Sequence, residues 1–237
     1  MDIKPKISII TPCLNSEKTI RDTMESVLHQ TYKNIEYIIV DGGSEDRTLE
    51  IIHEYEHLFN GRLKYISEKD NGIYDAMNKG IRQSKGKLIG IIGSDDYYET
   101  DAVEKVAAHM TKDVYQVLYG YCRVLDGNRM KNIDRKNHKA LVQAMLPHAT
   151  CFVTREIYRD FGMFLTVFKI AGDYELIIRL YCDKRVIFTQ IKEILANFRI
   201  GGASSSKKSQ VEKAIIRRYY KLISFRHMLK SIIELYL

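Results

Sequence analysis

The first half of the chain alternates two textures. Short apolar runs, Ile7–Thr11, Ile35–Val40, Leu63–Ser67 and Lys87–Ile92, are separated by longer stretches with apolar residues at helical spacing. The short runs read as strands buried on both faces and the longer stretches as helices. Asn15 or Ser16 opens the first helix, with Ile20, Met24, Val27 and Leu28 inward. The turn cluster Asp41–Asp46 opens a second, running to about Tyr55. Asp70-Asn71-Gly72 leads into a third over 73–84, with Ile73, Ala76, Met77, Gly80 and Ile81 inward. Strands joined by long helices need crossovers, so the pattern predicts an α/β fold with a mostly parallel central sheet flanked by helices.

After residue 112 the texture changes. Val114–Leu125 and Arg129–Ile133 flank Asp126-Gly127-Asn128 as a hairpin. His138–Leu146 reads as helix, Ala149–Thr154 as strand, Gly172–Cys182 as helix, and Arg185–Phe188 and Ile194–Ile200 as two further strands. Gly201–Ser209 reads as a flexible loop. Val211–Leu237 reads as one amphipathic helix with Ile215, Tyr219, Leu222, Leu229 and Ile233 on a stripe. The expected organisation is a domain over 1–206, changing character near 112, followed by a helical segment over 207–237.

Charge alters this picture in one place. Of the formal net charge of +7, the segment 207–237 carries eight Lys/Arg against two Glu, so the rest is nearly neutral. A basic tail on a near-neutral body argues against a nucleic-acid face. Three readings fit the tail: packing on the domain, dimerisation, or contact with an anionic membrane surface. No run reaches the roughly 18 apolar residues of a membrane span. Met1–Lys6 lacks the apolar core of a signal peptide. Four scattered cysteines without a CxxC pair suit free thiols in a reducing compartment. A cytoplasmic protein is the expectation, with peripheral attachment at the inner membrane face as the variant that the basic tail allows.

Candidate chemistry centres on Gly93-Ser94-Asp95-Asp96, where two carboxylates follow a buried strand. Adjacent acids repel, so the pair is either a solvated helix-opening turn or a cation site. Ligands of parallel sheets bind at the carboxyl ends of strands, where Asp41 also lies. Rival signatures fail. No GxGxxG follows the first strand, and Gly80…Gly86-Lys87 has the wrong spacing for a phosphate loop. The first loop, Thr11–Asn15, lacks the glycines and cation of a nucleotidyltransferase.

Five ordered motifs carry a resemblance. They are Ile7–Asn15 with Ser26–Thr31; Val40-Asp41-Gly42-Gly43-Ser44-Glu45-Asp46; Glu68–Gly80; Gly93–Asp96; and Lys169-Ile170-Ala171-Gly172-Asp173-Tyr174-Glu175, followed by Phe198–Ser204. Together they resemble family 2 glycosyltransferases of the GT-A fold, over residues 6 to about 205. The resemblance implies a nucleotide-sugar-binding half (1–112) and an acceptor-side half (113–206). It makes Asp96, with Asp95, the holder of Mn²⁺ or Mg²⁺. Thr11, Pro12, Asn15, Asp41, Asp70, Asp75, Asn78, Ser94 and Asp95 would line the donor. Asp173 would be the general base of an inverting transfer, Glu175 a weaker candidate, and His148 an acceptor-side residue. Gly201–Lys208 would be a mobile active-site loop. Many relatives carry a second acid where this chain has Gly42, which leaves the nucleobase open. A UDP-sugar is favoured, with GDP or dTDP as alternatives, and a glycan or lipid-linked acceptor is expected. The alternatives are a non-catalytic nucleotide- or glycan-binding module on the same fold, or a nucleotidyltransferase.

Overall fold

A computed structural model describes residues 4–127, 129–201 and 206–236. Asn128 of the hairpin turn and 202–205 of the expected active-site loop lie outside the described residues. The chain opens as β1 (Ile7–Cys13), α1 (Ile20–Leu28), β2 (Ile35–Asp41), α2 (Thr48–Glu56), β3 (Leu63–Ser67), α3 (Ile73–Gln83) and β4 (Leu88–Ile91). The alternation is the one the apolar runs predict. These four strands lie parallel in the order β3-β2-β1-β4.

Period-two alternation divides their side chains between two cores. Ile7, Ile9 and Ile39 face one side with Ile20, Met24 and Ile52 of α1 and α2. Ile10, Ile38 and Val40 face the other with Ala76, Met77 and Ile81 of α3. Ile73 differs from expectation: at the first position of α3 it is 47% exposed. β1 also runs through Pro12, which lies opposite Val40. Ile10 bonds towards β4, and β4 ends at Ile91, so the N–H that proline lacks falls where that ladder has already stopped.

The second half extends the same sheet. It comprises β5 (Tyr97–Tyr98), α4 (Ala102–Ala108), β6 (Gln116–Asp126), β7 (Arg129–Asp134), β8 (Phe152–Thr154), α5 (Arg155–Asp160), α6 (Gly172–Tyr181) and β9 (Ile187–Arg199). β8 joins β4 to β6 antiparallel, and β6 then pairs parallel with β9. The two strands expected at 185–188 and 194–200 are one. Tyr119 lies opposite Gln190 and Tyr121 opposite Ile194, so the apparent gap is a bulge. The helix expected over 138–146 is a single 3₁₀ turn at His138–Ala140, capped by Asn137.

The expected single C-terminal helix is two, α7 (Lys207–Tyr219) and α8 (Phe225–Glu234). Lys221 adopts left-handed φ 58°, and its N–H and that of Leu222 bond back to Arg218 and Arg217. This closing motif ends a helix, with Leu222 packed on the second core. Ser224 then caps α8. α7 buries Ser209, Ala214 and Ile216, whereas the expected stripe of Ile215, Tyr219, Leu229 and Ile233 is exposed. α8 buries no residue.

One buried acid fixes the edge of the sheet away from the strand carboxyl ends. Glu36 is 5% exposed and accepts from Ser8 Oγ at 2.6 Å, Gly86 N at 2.9 Å and Lys85 N. It thereby clamps the α3–β4 turn to β1 and β2. Removing a partner from buried donors costs about 1–3 kcal/mol each. Glu36→Ala should therefore lower unfolding free energy in urea by about 2–4 kcal/mol. Because Glu36 lies at the far end of the strands from the acidic turns, ligand-induced thermal shifts should persist in the variant.

Candidate active site

Three strand-end turns are laced together at one rim. After β1, Asn15 Oδ1 accepts from Glu45 N at 2.9 Å, and Asn15 N donates to Ser44 Oγ at 2.8 Å. Ser16 N donates to Thr48 Oγ1 at 2.7 Å, and Ser16 Oγ meets Ser94 Oγ at 2.8 Å. The turns after β1, β2 and β4 therefore form one platform, with Asn15 exposed at φ 49°.

Asp41 is fully buried at its centre. Oδ2 accepts from Gly43 N (3.1 Å), Ser44 N (3.0 Å) and Ser67 Oγ (2.8 Å), and Oδ1 from Ser44 Oγ and Cys13 Sγ. This carboxylate shapes the Gly42–Ser44 turn. Asp70 stands over Gly42: its Oδ2 is 2.5 Å from where a side chain at 42 would begin, and its Oδ1 accepts from Gly72 N. The space that a side chain at 42 would need is thus filled by the carboxylate of Asp70. Asp75 is half-buried and accepts from Asn71 N at 3.0 Å.

Thr11 and Asn78 serve elsewhere than expected. Thr11 is fully buried with its hydroxyl against Tyr37 Oη at 3.0 Å, beneath the rim. Pro12 beside it is buried as well. Asn78, 6% exposed, spends both ends of its amide on the Phe164 backbone, at 2.9 and 3.0 Å. Neither polar group is free for a nucleotide, and Asn78 instead latches α3 to the chain before α6.

The acidic pair is held from several sides. Asp96 is 5% exposed, and its Oδ1 accepts from Arg199 N at 2.9 Å. Its main-chain carbonyl accepts from Thr23 Oγ1 at 2.6 Å. Arg199 also donates to the Asp95 carbonyl at 2.9 Å, pairs with Asp22 and stacks on Tyr97 at 4.9 Å. A side chain on Gly93 would begin 2.8 Å from Asp95 Oδ1 and 3.4 Å from Asp96 Oδ2, so both carboxylates border the same glycine. Burial, and next the Asp95 carboxylate, push Asp96 up to about 8, against the pull of Arg199.

Such a pair suits a hard divalent cation. Among the described residues no three His, Cys, Asp or Glu side chains gather in a metal-holding cluster. Mg²⁺-like ions are held by one or two carboxylates plus substrate phosphates and water, so two carboxylates around an open glycine fit that coordination.

Asp173 opens α6 at half-exposure. Its Oδ1 accepts from Tyr174 N at 2.8 Å and from Tyr74 Oη at 3.0 Å. Tyr74 sits at the start of α3, just after Asp70, so this contact ties α6 to the rim. The same hydroxyl lies 2.7 Å from the Ile170 carbonyl. Only glycine fits at 172, since a Cβ there would stand 2.9 Å from the Tyr74 ring. His148 packs on Phe164 at 6.0 Å, and Phe164 stacks on Tyr74 at 5.5 Å. Burial pulls the His148 imidazole down, and the Asp173 carboxylate opposes this.

Asp96 and Asp173 each act on a buried thiol. Burial pushes Cys122 up to about 12 with Asp96 adding to it, and burial raises Cys151 with Asp173 adding to it. Glu175, two residues on, is buried in a pair with Arg179 at 2.9 Å and accepts from Tyr220 Oη at 2.5 Å, so it faces the interior.

The family model described as Glycosyl transferase family 2 matches residues 8–172, well over half of the chain. A PGL/p-HBAD biosynthesis glycosyltransferase of Mycobacterium bovis is 27% identical over 217 residues, covering 90% of this chain and 84% of that protein. TarS of S. aureus, solved with UDP-GlcNAc, superposes at TM-score 0.75 and 19% identity, over 97% of this chain and 71% of that one. The mannosyltransferase PcManGT of Pyrobaculum calidifontis, solved with GDP-Man and Mn²⁺, superposes at 0.66 and 15% identity, over 100% and 71%. The fold is GT-A-like, a mostly parallel sheet flanked by helices. The chain belongs to glycosyl transferase family 2 and is a glycosyltransferase.

The acidic pair has a measurable consequence. An unfolded aspartate ionises near pH 4 and Asp96 in the fold near 8, so folding takes up a proton between those values. Stability of the metal-free protein should fall as pH rises through that window. In EDTA, melting temperature should drop from pH 5.5 to pH 8, Asp96→Asn should flatten the slope, and Mn²⁺ should stabilise more at pH 8 than at pH 5.5. An unchanged slope in Asp96→Asn would count against the assignment.

Proposed function

We propose that the protein is an inverting transferase that moves a sugar from a nucleoside-diphosphate sugar to a hydroxyl of a glycan or lipid-linked acceptor in surface polysaccharide assembly. The observations that carry this reading are a buried acidic turn after β4, tied through Ser94 and Ser16 to the turns after β1 and β2, and a half-exposed carboxylate on a helix N-terminus that Tyr74 ties to the start of α3. Asp173 takes the proton of the acceptor hydroxyl. The hydroxyl oxygen then bonds to the anomeric carbon from the face opposite the leaving group. The bond from that carbon to the diphosphate breaks, and its electron pair leaves with the diphosphate. Asp96 with Asp95 would hold Mg²⁺ or Mn²⁺, which supplies neutralising charge beside the departing diphosphate.

Asn15, Ser94 and Asp95 face the donor directly, Asp70 and Asp75 hold the turn that borders it, and Asp41 acts by shaping the Gly42–Ser44 loop. His148, linked to the Tyr74–Asp173 contact through the ring of Phe164, lies towards the acceptor. UDP is the favoured nucleotide, with GDP and dTDP as alternatives. TarS with UDP-GlcNAc and the mannosyltransferase with GDP-Man and Mn²⁺ support a nucleotide-sugar donor and a cation.

A panel of UDP-, GDP- and dTDP-sugars with and without Mn²⁺ should give a thermal shift with one nucleotide class plus metal. Asp173→Asn should keep that shift and lose about 10²- to 10⁴-fold in turnover. Full activity of this variant would remove Asp173 from the mechanism. Pyrophosphate release from a nucleoside triphosphate would point to a nucleotidyltransferase, and binding without turnover of any donor to a binding module.

No helix among the described residues is long and apolar enough to cross a membrane. Yet α8 exposes Phe225, Leu229 and Ile233 beside Arg226 and Lys230, and α7 adds exposed Ile215 and Tyr219 among lysines and arginines. An apolar strip edged with cations matches an anionic lipid surface. The protein should sediment with vesicles containing 30% phosphatidylglycerol, not with pure phosphatidylcholine, and Leu229→Asp/Ile233→Asp should abolish this. Lipid-independent dimerisation lost in the same variant would instead assign the strip to a second copy.

A further inference from the structure

Three consecutive amides just before Asp173 converge on a single distant carboxylate. Glu212, in the second turn of α7, accepts from Lys169 N at 3.0 Å, Ile170 N at 3.0 Å and Ala171 N at 2.8 Å. These amides precede the helical residues of α6, which begins at Gly172 with Ala171 as its N-terminal flank. Ala171 is fully buried, so its N–H has no access to water in the absence of that carboxylate. A charged acceptor on three amides is a strong tie, and a buried amide left without a partner is costly.

The tie acts on Asp173 through a short path. Ile170 receives Glu212 on its N–H and Tyr74 on its carbonyl. The Tyr74 hydroxyl also touches the Asp173 carboxylate. The segment 169–171 is therefore gripped by α7 on one side and α3 on the other, and Asp173 follows directly. Lys213, next to Glu212, is pulled down by burial while the Asp173 carboxylate opposes this, so α7 also brings a cation within the field of that carboxylate.

We propose that Glu212 is a positioning residue for the transfer reaction: its carboxylate, delivered by the C-terminal helix, sets the backbone of 169–171 and with it the direction of the Asp173 carboxylate. The inference rests on the reading of Asp173 as the base. It makes α7 part of the catalytic apparatus, although α7 lies beyond the residues 8–172 that the family model matches. A positioned carboxylate needs its geometry fixed closely, because a small misplacement in a near-attack arrangement lowers the rate steeply.

The test uses the full chain with UDP-GlcNAc, UDP-glucose, GDP-mannose and dTDP-rhamnose as donors, following nucleoside diphosphate release. Glu212→Ala should lower kcat at least tenfold with donor KM and the donor-induced thermal shift within twofold. Glu212→Gln keeps an acceptor oxygen and should recover at least half of the lost rate on a logarithmic scale. In the Asp173→Asn background, Glu212→Ala should reduce the residual rate by less than twofold, since the residue acts through Asp173. Amide exchange over 169–176 should rise in Glu212→Ala while that over β1 and β2 stays unchanged. Unchanged kcat in Glu212→Ala, equal losses in both backgrounds, or parallel losses of donor binding and rate in Glu212→Ala and Glu212→Gln would each overturn the proposal. An active Asp173→Asn enzyme, or turnover of none of the four donors, would sink the reading of Asp173 or of the function, a result distinct from failure at Glu212.

Discussion

Asp96 is a carboxylate buried beside another carboxylate, and much of the rim is arranged to hold it there. Placing charge in a poorly solvated site is unfavourable unless a counter-charge arrives. The Arg199 guanidinium does not supply it directly. It is directed at the Asp95 carbonyl and at Asp22, while only its backbone N–H reaches Asp96. One carboxylate oxygen of Asp96 remains turned towards Gly93 and Asp95. A carboxylate in that state favours a counter-ion, and in the proposed reaction a divalent cation carrying the donor diphosphate supplies it.

The rest of the fold brings distant chain segments to this point. Parallel strands place the turns after β1, β2 and β4 at one edge, and short side-chain bonds between Asn15, Ser16, Ser44 and Ser94 fuse them. The second half is attached through α3. Tyr74 reaches Asp173, and Asn78 grips the backbone at Phe164. Two residues of one helix therefore bridge the donor-side turns and the segment that carries the candidate base. Rigid support of this kind is what a carboxylate needs if it is to meet a hydroxyl at a fixed angle.

Strands buried on both faces declared themselves as unbroken apolar runs, and the acidic doublet stood out because nothing apolar justifies two aspartates after Ile92. Asp173 was singled out by its motif, and its role as base is proposed. The side chains that organise the rim were not legible. Asn78 shares a helical face with Asp75 by spacing, yet burial against Phe164, 86 positions on, decides its role. Arg199 and Glu212 reach their partners across 103 and about 40 positions, and alone each looks like a solvated charge on an ordinary strand or helix. The break at Lys221 was hidden for a related reason. A lysine in a left-handed turn carries no glycine signal, and only the bonds back to Arg217 and Arg218 reveal the stop. Periodicity reads the faces of single elements; it is silent on which element another one's charged group will meet.

Manganese binding followed by electron paramagnetic resonance tests the central claim most directly. Free Mn²⁺ gives a strong signal that disappears on coordination. The account predicts weak uptake by the protein alone, much tighter uptake once UDP is added, and loss of the tight component in Asp96→Ala. Equally tight uptake in that variant, or UDP binding of full strength in EDTA, would contradict it.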